Sequence, residues 1–251
     1  MNHRAIAAAL IAPIRLATNL TVGKETMNRR TFAALIMLAP SLAFAQLDKL
    51  SNQDAVAGLK AALEKGSDVA VSSLGRTDGF FGNPQVKIPL PESLKSADRM
   101  MRTVGMGKYS DELIMTMNRA AEAAAPEAKA LLVQSVRNMS VQDAKGILTG
   151  GDTAGTEYFK RTTSDQLRQR FLPIVKKETQ KVSLAQKYNE YAEKGARYGL
   201  VGKDAASIDD YVTQKTLDGL FFMMAEEEKK IRANPLAAGS DIMKKVFGAL
   251  K

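Results

Sequence analysis

Apolar residues recur at three- and four-residue intervals along most of the chain, the signature of helices that bury one stripe. From Asn52 to Leu74 the positions Val56, Leu59, Leu63, Val69 and Leu74 carry that period, with alanines between them. Gly75-Arg76-Thr77-Asp78-Gly79 ends the helix. Residues 80–91, FFGNPQVKIPLP, hold three prolines and cannot be a helix interior. Val86, Ile88 and Leu90 alternate there, which predicts an extended, polyproline-like strap. Its Phe80, Phe81, Val86 and Ile88 are expected to dock on neighbouring helices.

Helical spacing resumes at Pro91, a good first-turn residue, with Leu94, Met100, Met101 and Val104 following. A helix from Ser110-Asp111-Glu112 carries Leu113, Ile114, Met117, Ala120, Ala121 and Ala124. Pro126 opens another, Ser140 or Val141 to Leu148 forms a short one, and Gly150-Gly151 closes it. Asp152 or Thr153 suits a cap for the next, Ser164 for one after it, and Pro173 should kink or divide that segment. Helices at 183–198, from Ser207 to about Ala233, and at 240–250 complete the pass. The density of stop signals predicts an all-α fold: one compact multi-helix domain of roughly eight to ten helices, with one Pro-rich extended strap.

The N-terminus reads as an address. Residues 27–45, MNRRTFAALIMLAPSLAFA, place a basic Asn28-Arg29-Arg30 before a short apolar run and an Ala43-Phe44-Ala45 cleavage signal. The run is too short to span a bilayer. The expected organisation is therefore 1–26 as an upstream mis-start, 27–45 as a signal peptide cleaved after Ala45, and 46–251 as a single all-α domain. The expected location is the periplasm. Arg29-Arg30-Thr31-Phe32 also resembles a twin-arginine export motif, with Asn28 in place of the usual Ser or Thr.

Composition narrows the chemistry. The chain has no Cys and one His, His3, which lies upstream of the cleavage site. The mature chain then lacks both residue types, which excludes disulfides, thiolate nucleophiles, Ser-His-Asp triads and histidine metal sites. No metal site, no cofactor and no catalytic residue is expected. Charge is uneven: residues 158–203 hold eleven Lys and Arg against four Asp and Glu, with Tyr158, Tyr188, Tyr191 and Tyr198 interleaved. Export argues against nucleic acid as the partner. Anionic lipid or an acidic envelope polymer fits instead, with Arg161, Arg168, Lys176, Lys177 and Lys181 as the candidate anion-binding residues. The competing reading is solvated helix surface.

Three further patterns have plainer readings. Glu226-Glu227-Glu228 point in different directions on a helix and form surface pairs, Glu226–Lys230 and Glu228–Arg232, with Glu227 as the member that could turn inward. Gly150-Gly151-Asp152-Thr153 is a helix stop and cap rather than a phosphate loop. Glu92-Ser93 at a helix start resembles the single-acid signature of helical lytic transglycosylases, whose other motifs are absent; the helix dipole alone accounts for Glu92.

The words TDGFFGNPQVKIPLPESL (77–94), LIMTMNRAAEAAAPEAKALL (113–132), ILTGGDTAGTEYFK (147–160), FLPIVKK (171–177) and YVTQKTLDGLFFMMAEEEKKIRANP (211–235) resemble the bacterial domain-of-unknown-function family numbered 4197. The resemblance implies an exported all-helical protein and carries no assigned activity. The expected function is a non-catalytic binding or envelope-support module. Two alternatives stand beside it: a carboxylate-based hydrolase of an envelope glycan or lipid, and a peripheral membrane protein that binds anionic lipid through 158–203.

Overall fold

In the computed structural model, residues 52–189 and 207–234 are described, together with 241 and 246. The expectations for 1–45 and most of those for 190–206 and 240–250 fall outside that set. Among the described residues there is no strand. Seven α-helices are present: α1 (Asn52–Leu74), α2 (Glu92–Thr103), α3 (Gly107–Ala124), α4 (Ala128–Arg137), α5 (Val141–Thr149), α6 (Ala154–Thr179) and α7 (Ile208–Ala233). Residues 183–189 are also helical.

α1 shows how the apolar period becomes packing. Ala55, Leu59, Ala62, Leu63, Ala70, Val71 and Leu74 are buried, one stripe at 3.6-residue spacing. Val69 falls off that stripe and is exposed. α6 and α7 form the centre, each packed on the other; α3, α4 and α5 lie against α6, and α1 lies against α7. Phe159, Leu167, Phe171 and Val175 of α6 meet Val212, Leu217, Leu220 and Met224 of α7 in one apolar core. Gly219 lets Phe80 enter it: a Cβ there would stand 2.7 Å from the Phe80 ring.

Two expected breaks do not divide the chain. Ser164 lies inside α6, where its hydroxyl donates to the Lys160 carbonyl, a local bond compatible with helix. α6 also runs past Pro173 as one helix. At Pro126 a 3₁₀ turn, Ala125–Glu127, leads from α3 into α4 with helical backbone throughout. The helix expected to start at Ser110 begins at Gly107, and Thr153 stands at the N-cap of α6 without a side-chain cap bond, but two caps act as read. Ser140 caps α5 with a reciprocal Asp143 bond, and Ser207 caps α7 by accepting from the Asp210 amide. No helix among the described residues is long and apolar enough to cross a membrane.

Residues 75–91 differ from an extended strap. As far as Lys87 they form successive turns: Gly79 N donates to Arg76 O, Asn83 N to Phe80 O, and Lys87 N to Asn83 O. Asp78 takes a positive φ of 63°, and the Asn83 side chain accepts from Gln85 N. Asx chemistry folds the chain back where proline alone would only stiffen it. Phe80, Val86, Ile88 and Leu90 are buried, whereas Phe81 is only half-buried.

Candidate functional site

The turn segment is held by polar side chains reaching out of α3. Glu122 Oε1 accepts from the amides of Phe80 and Phe81, both at 3.0 Å. Asn118 accepts from Ile88 N at 2.8 Å and donates to Ile88 O at 2.9 Å. Tyr211 of α7 donates to Pro89 O. A chain without secondary-structure partners needs such acceptors and donors if it is to be buried. Arg119 closes the arrangement, pairing with Glu122 at 2.6 Å and Asp78 at 2.7 Å.

Against this fixed wall stands α2, and the two enclose a groove of about 930 Å³. Phe81, Pro84, Leu90 and Ile114 supply its apolar surface, and six charged residues line it as well. Their bookkeeping is uneven. Glu92 is paired with Lys95. Asp98 and Asp111 share Arg102, at 2.9 and 2.5 Å. Lys87 and Arg99 have no carboxylate partner among the described residues: Lys87 Nζ lies 4.1 Å from the centre of the Phe81 ring, and Arg99 reaches only Ser96 Oγ. The six lining charges sum to zero and Arg102 adds one positive charge; each acid has an ion-pair partner, whereas Lys87 and Arg99 have none among the described residues.

The buried Ser110 hydroxyl makes no hydrogen bond of ordinary geometry. It faces Asp98, and together with Arg102 it holds that carboxyl below its usual range. Burial raises the Tyr211 phenol, with Glu92 and Asp218 adding to the effect.

The five residues expected to bind an anion are not gathered into one site. Arg161 lies over the Tyr158 ring and pairs with Asp143 at 3.4 Å. Arg168 donates to Gln214 of α7. Lys181 pairs with Glu178 at 2.6 Å. Lys176 and Lys177 are exposed in the last turn of α6. From Arg161 to Lys177 the helix rises about 24 Å, so these cations are strung along its length. Arg161 borders a second groove, about 370 Å³, with Gln134, Asn138, Asp143 and Gln166.

The buried carboxylates elsewhere are committed to structure. Glu228, not Glu227, turns inward. It accepts from the amides of Gly155 and Thr156 and from the Thr156 hydroxyl, and it pairs with Arg232 at 2.9 Å. The glycine-rich start of α6 thus does hold an anion, and that anion is the protein's own glutamate. A Cβ at Gly155 would lie 2.4 Å from Leu63 Cδ2 and 3.1 Å from Glu228 Oε1, so glycine permits the approach. Lys230 pairs with Glu227 rather than with Glu226, which takes Lys229. Asp209 accepts from Thr179 and Asn189. Among the described residues no three His, Cys, Asp or Glu are placed to hold a metal ion.

Lys87 and Arg99 escaped the sequence reading because neither belongs to a charge cluster. The signal for Lys87 was present: in an alternating stretch it points away from buried Val86 and Ile88.

Residues 49–248 match a family described as protein of unknown function (DUF4197). No curated protein and no solved structure matches the chain significantly.

Proposed function

The chain belongs to this family of unknown function, and from that premise we propose that it is an exported, non-catalytic binding module whose ligand lies in the groove between residues 80–91 and α2. The observation that carries the reading is the pair of cations without carboxylate partners among the described residues, Lys87 and Arg99, beside an aromatic and aliphatic wall. That chemistry suits an anionic group joined to an apolar body, the character of envelope amphiphiles. Export follows from the signal pattern at 27–45 with cleavage after Ala45, leaving 46–251 as one periplasmic domain.

The hydrolase alternative has less support. A glycosidase-type site needs one carboxyl kept protonated. Asp98 is shifted the opposite way, and Glu122, Glu228 and Asp209 are occupied by backbone or hydroxyl donors. The basic-segment alternative rests on Lys176 and Lys177, since Arg161, Arg168 and Lys181 have internal partners.

Two experiments test the proposal. Native mass spectrometry of protein recovered from the periplasm should show a chain starting at Gln46; a product retaining Met27 or Met1 overturns the processing. Thermal shift with a long-chain fatty acid should raise the melting temperature of the wild type but not of Lys87→Glu with Arg99→Glu. An equal shift in both proteins removes the groove from the reading.

A further inference from the structure

The second groove, of about 370 Å³, shares no lining residue with the groove beside α2. Helical register sets its sides. Gln134 and Asn138 stand i,i+4 on α4, and Thr162 and Gln166 stand i,i+4 on α6, the helix packed against it. The two rows form the sides of one trough. Its floor ties the helices together: the Tyr158 hydroxyl donates to the Ser135 carbonyl at 2.9 Å, and the Ser135 and Thr162 hydroxyls stand 2.9 Å apart. Thr162 donates to the Tyr158 carbonyl, so Ser135 is the donor within that hydroxyl pair. At one end Asp143 Oδ1 faces Arg161 at 3.4 Å, while its Oδ2 is held by the amide and hydroxyl of Ser140. The trough is thus preformed, and its volume falls in the range of about 300–1,000 Å³ typical of small-molecule sites.

The groups left over in it are uncharged. Gln134, Asn138 and Gln166 are exposed, and among the described residues none of their amide side chains has a hydrogen-bond partner. The two charged residues of the lining, Arg161 and Asp143, cancel. We propose that this trough binds a neutral, hydroxyl-rich saccharide. Its chemistry selects that class. Each amide offers a donor and an acceptor side by side, and a sugar hydroxyl uses both. A charged ligand gains little from a lining of zero net charge. An apolar ligand would strip water from the amides without replacing their hydrogen bonds. An extended peptide fits less well, because it needs pockets for its side chains, and buried Leu131 is the lining's one aliphatic residue. This site is separate from the groove beside α2 and does not rest on it.

The test is titration of the purified protein with maltotetraose, cellotetraose and chitotetraose, followed by NMR through the side-chain amides of Gln134, Asn138 and Gln166. At least one of the three sugars should move those resonances saturably, and added salt should leave the affinity unchanged. Gln134→Ala with Gln166→Ala removes one amide from each side. It should weaken binding about tenfold, the worth of two ordinary hydrogen bonds, at an unchanged melting temperature because both residues are exposed. Arg161→Gln removes a charge, keeps a donor and should retain most of the affinity. Silent amide resonances with all three sugars at millimolar concentration overturn the proposal. So does undiminished binding by the double variant. A preference for a neutral peptide overturns it as well, as does a preference for polygalacturonate that is lost in Arg161→Gln or as salt rises.

Discussion

Residues 75–91 and α2 are neighbours in sequence and opposites in anchoring. The first has no regular secondary structure and buries five side chains, with its amides bonded to Glu122 and Asn118. The second is a regular helix that buries none and is fastened to α3 chiefly through Arg102. A helix satisfies its own backbone and can rest on a surface at little cost. A chain without that ladder is buried only where side chains supply the missing partners. Local order and tertiary anchoring are thus separate properties, and here they run in opposite directions.

The comparison breaks first at Phe80. Replacing it by alanine empties a fully enclosed site and should cost ~3–5 kcal/mol, read as a lower denaturant midpoint. Phe81→Ala, at the half-buried rim, should cost far less and act on the groove instead. An equal loss from both would mean that the segment docks through the wrong one of the two rings.

Glu122→Ala comes next. It strands the Phe80 and Phe81 amides, at ~1–3 kcal/mol for a buried unsatisfied group, and deprives Arg119 of one of its carboxylates. Amide exchange should accelerate at residues 80–88 before it does in α7. Uniform acceleration would show that the segment and the core open together.

On the other side of the comparison, Met100→Ser should change stability by no more than ~0.5 kcal/mol, as for an unremarkable surface position. A larger loss in thermal melting would mean that α2 is packed more firmly than its exposure indicates.

The smallest effect is a local response to acid. The folded-state Asp98 pKa is depressed, so its stabilising contribution is complete above the usual carboxylate range and fades as pH falls through the folded value. Exchange protection in α2 should decline as pH falls through and below the usual carboxylate range. Added salt at neutral pH should loosen α2 in the same way, by screening the exposed Arg102 pairs. Protection that is flat in both series would place the anchoring of α2 in its half-buried Leu94 and Met101 instead.

Much of the fold was legible in the residues. The limits of α1, the Ser140 and Ser207 caps and the end of α7 are local events, governed by a residue and its near neighbours. The misreadings share a cause. Ser164 and Pro173 carry break signals that lie inside one continuous helix, α6. Glu228 looked like its two surface neighbours because only the position of α6, more than seventy residues earlier in the chain, makes it an inward cap. The candidate groove was the least legible part: its walls come from the turn segment, α2 and α3, and its free cations are defined by which acids are already paired.

From sequence alone come the helical class, the family, the absence of cysteine chemistry, and the apolar stripe of the core helices such as α1. These depend on composition and on periods shorter than eight residues. Tertiary structure alone decided which charges are spent. Glu122, Glu228 and Asp209 were drawn inward by amides and hydroxyls that needed acceptors, Arg102 was drawn between two aspartates, and Lys87 and Arg99 were left over. Whether a charged side chain is free depends on what stands within about 4 Å of it in space, and spacing along the chain carries no record of that.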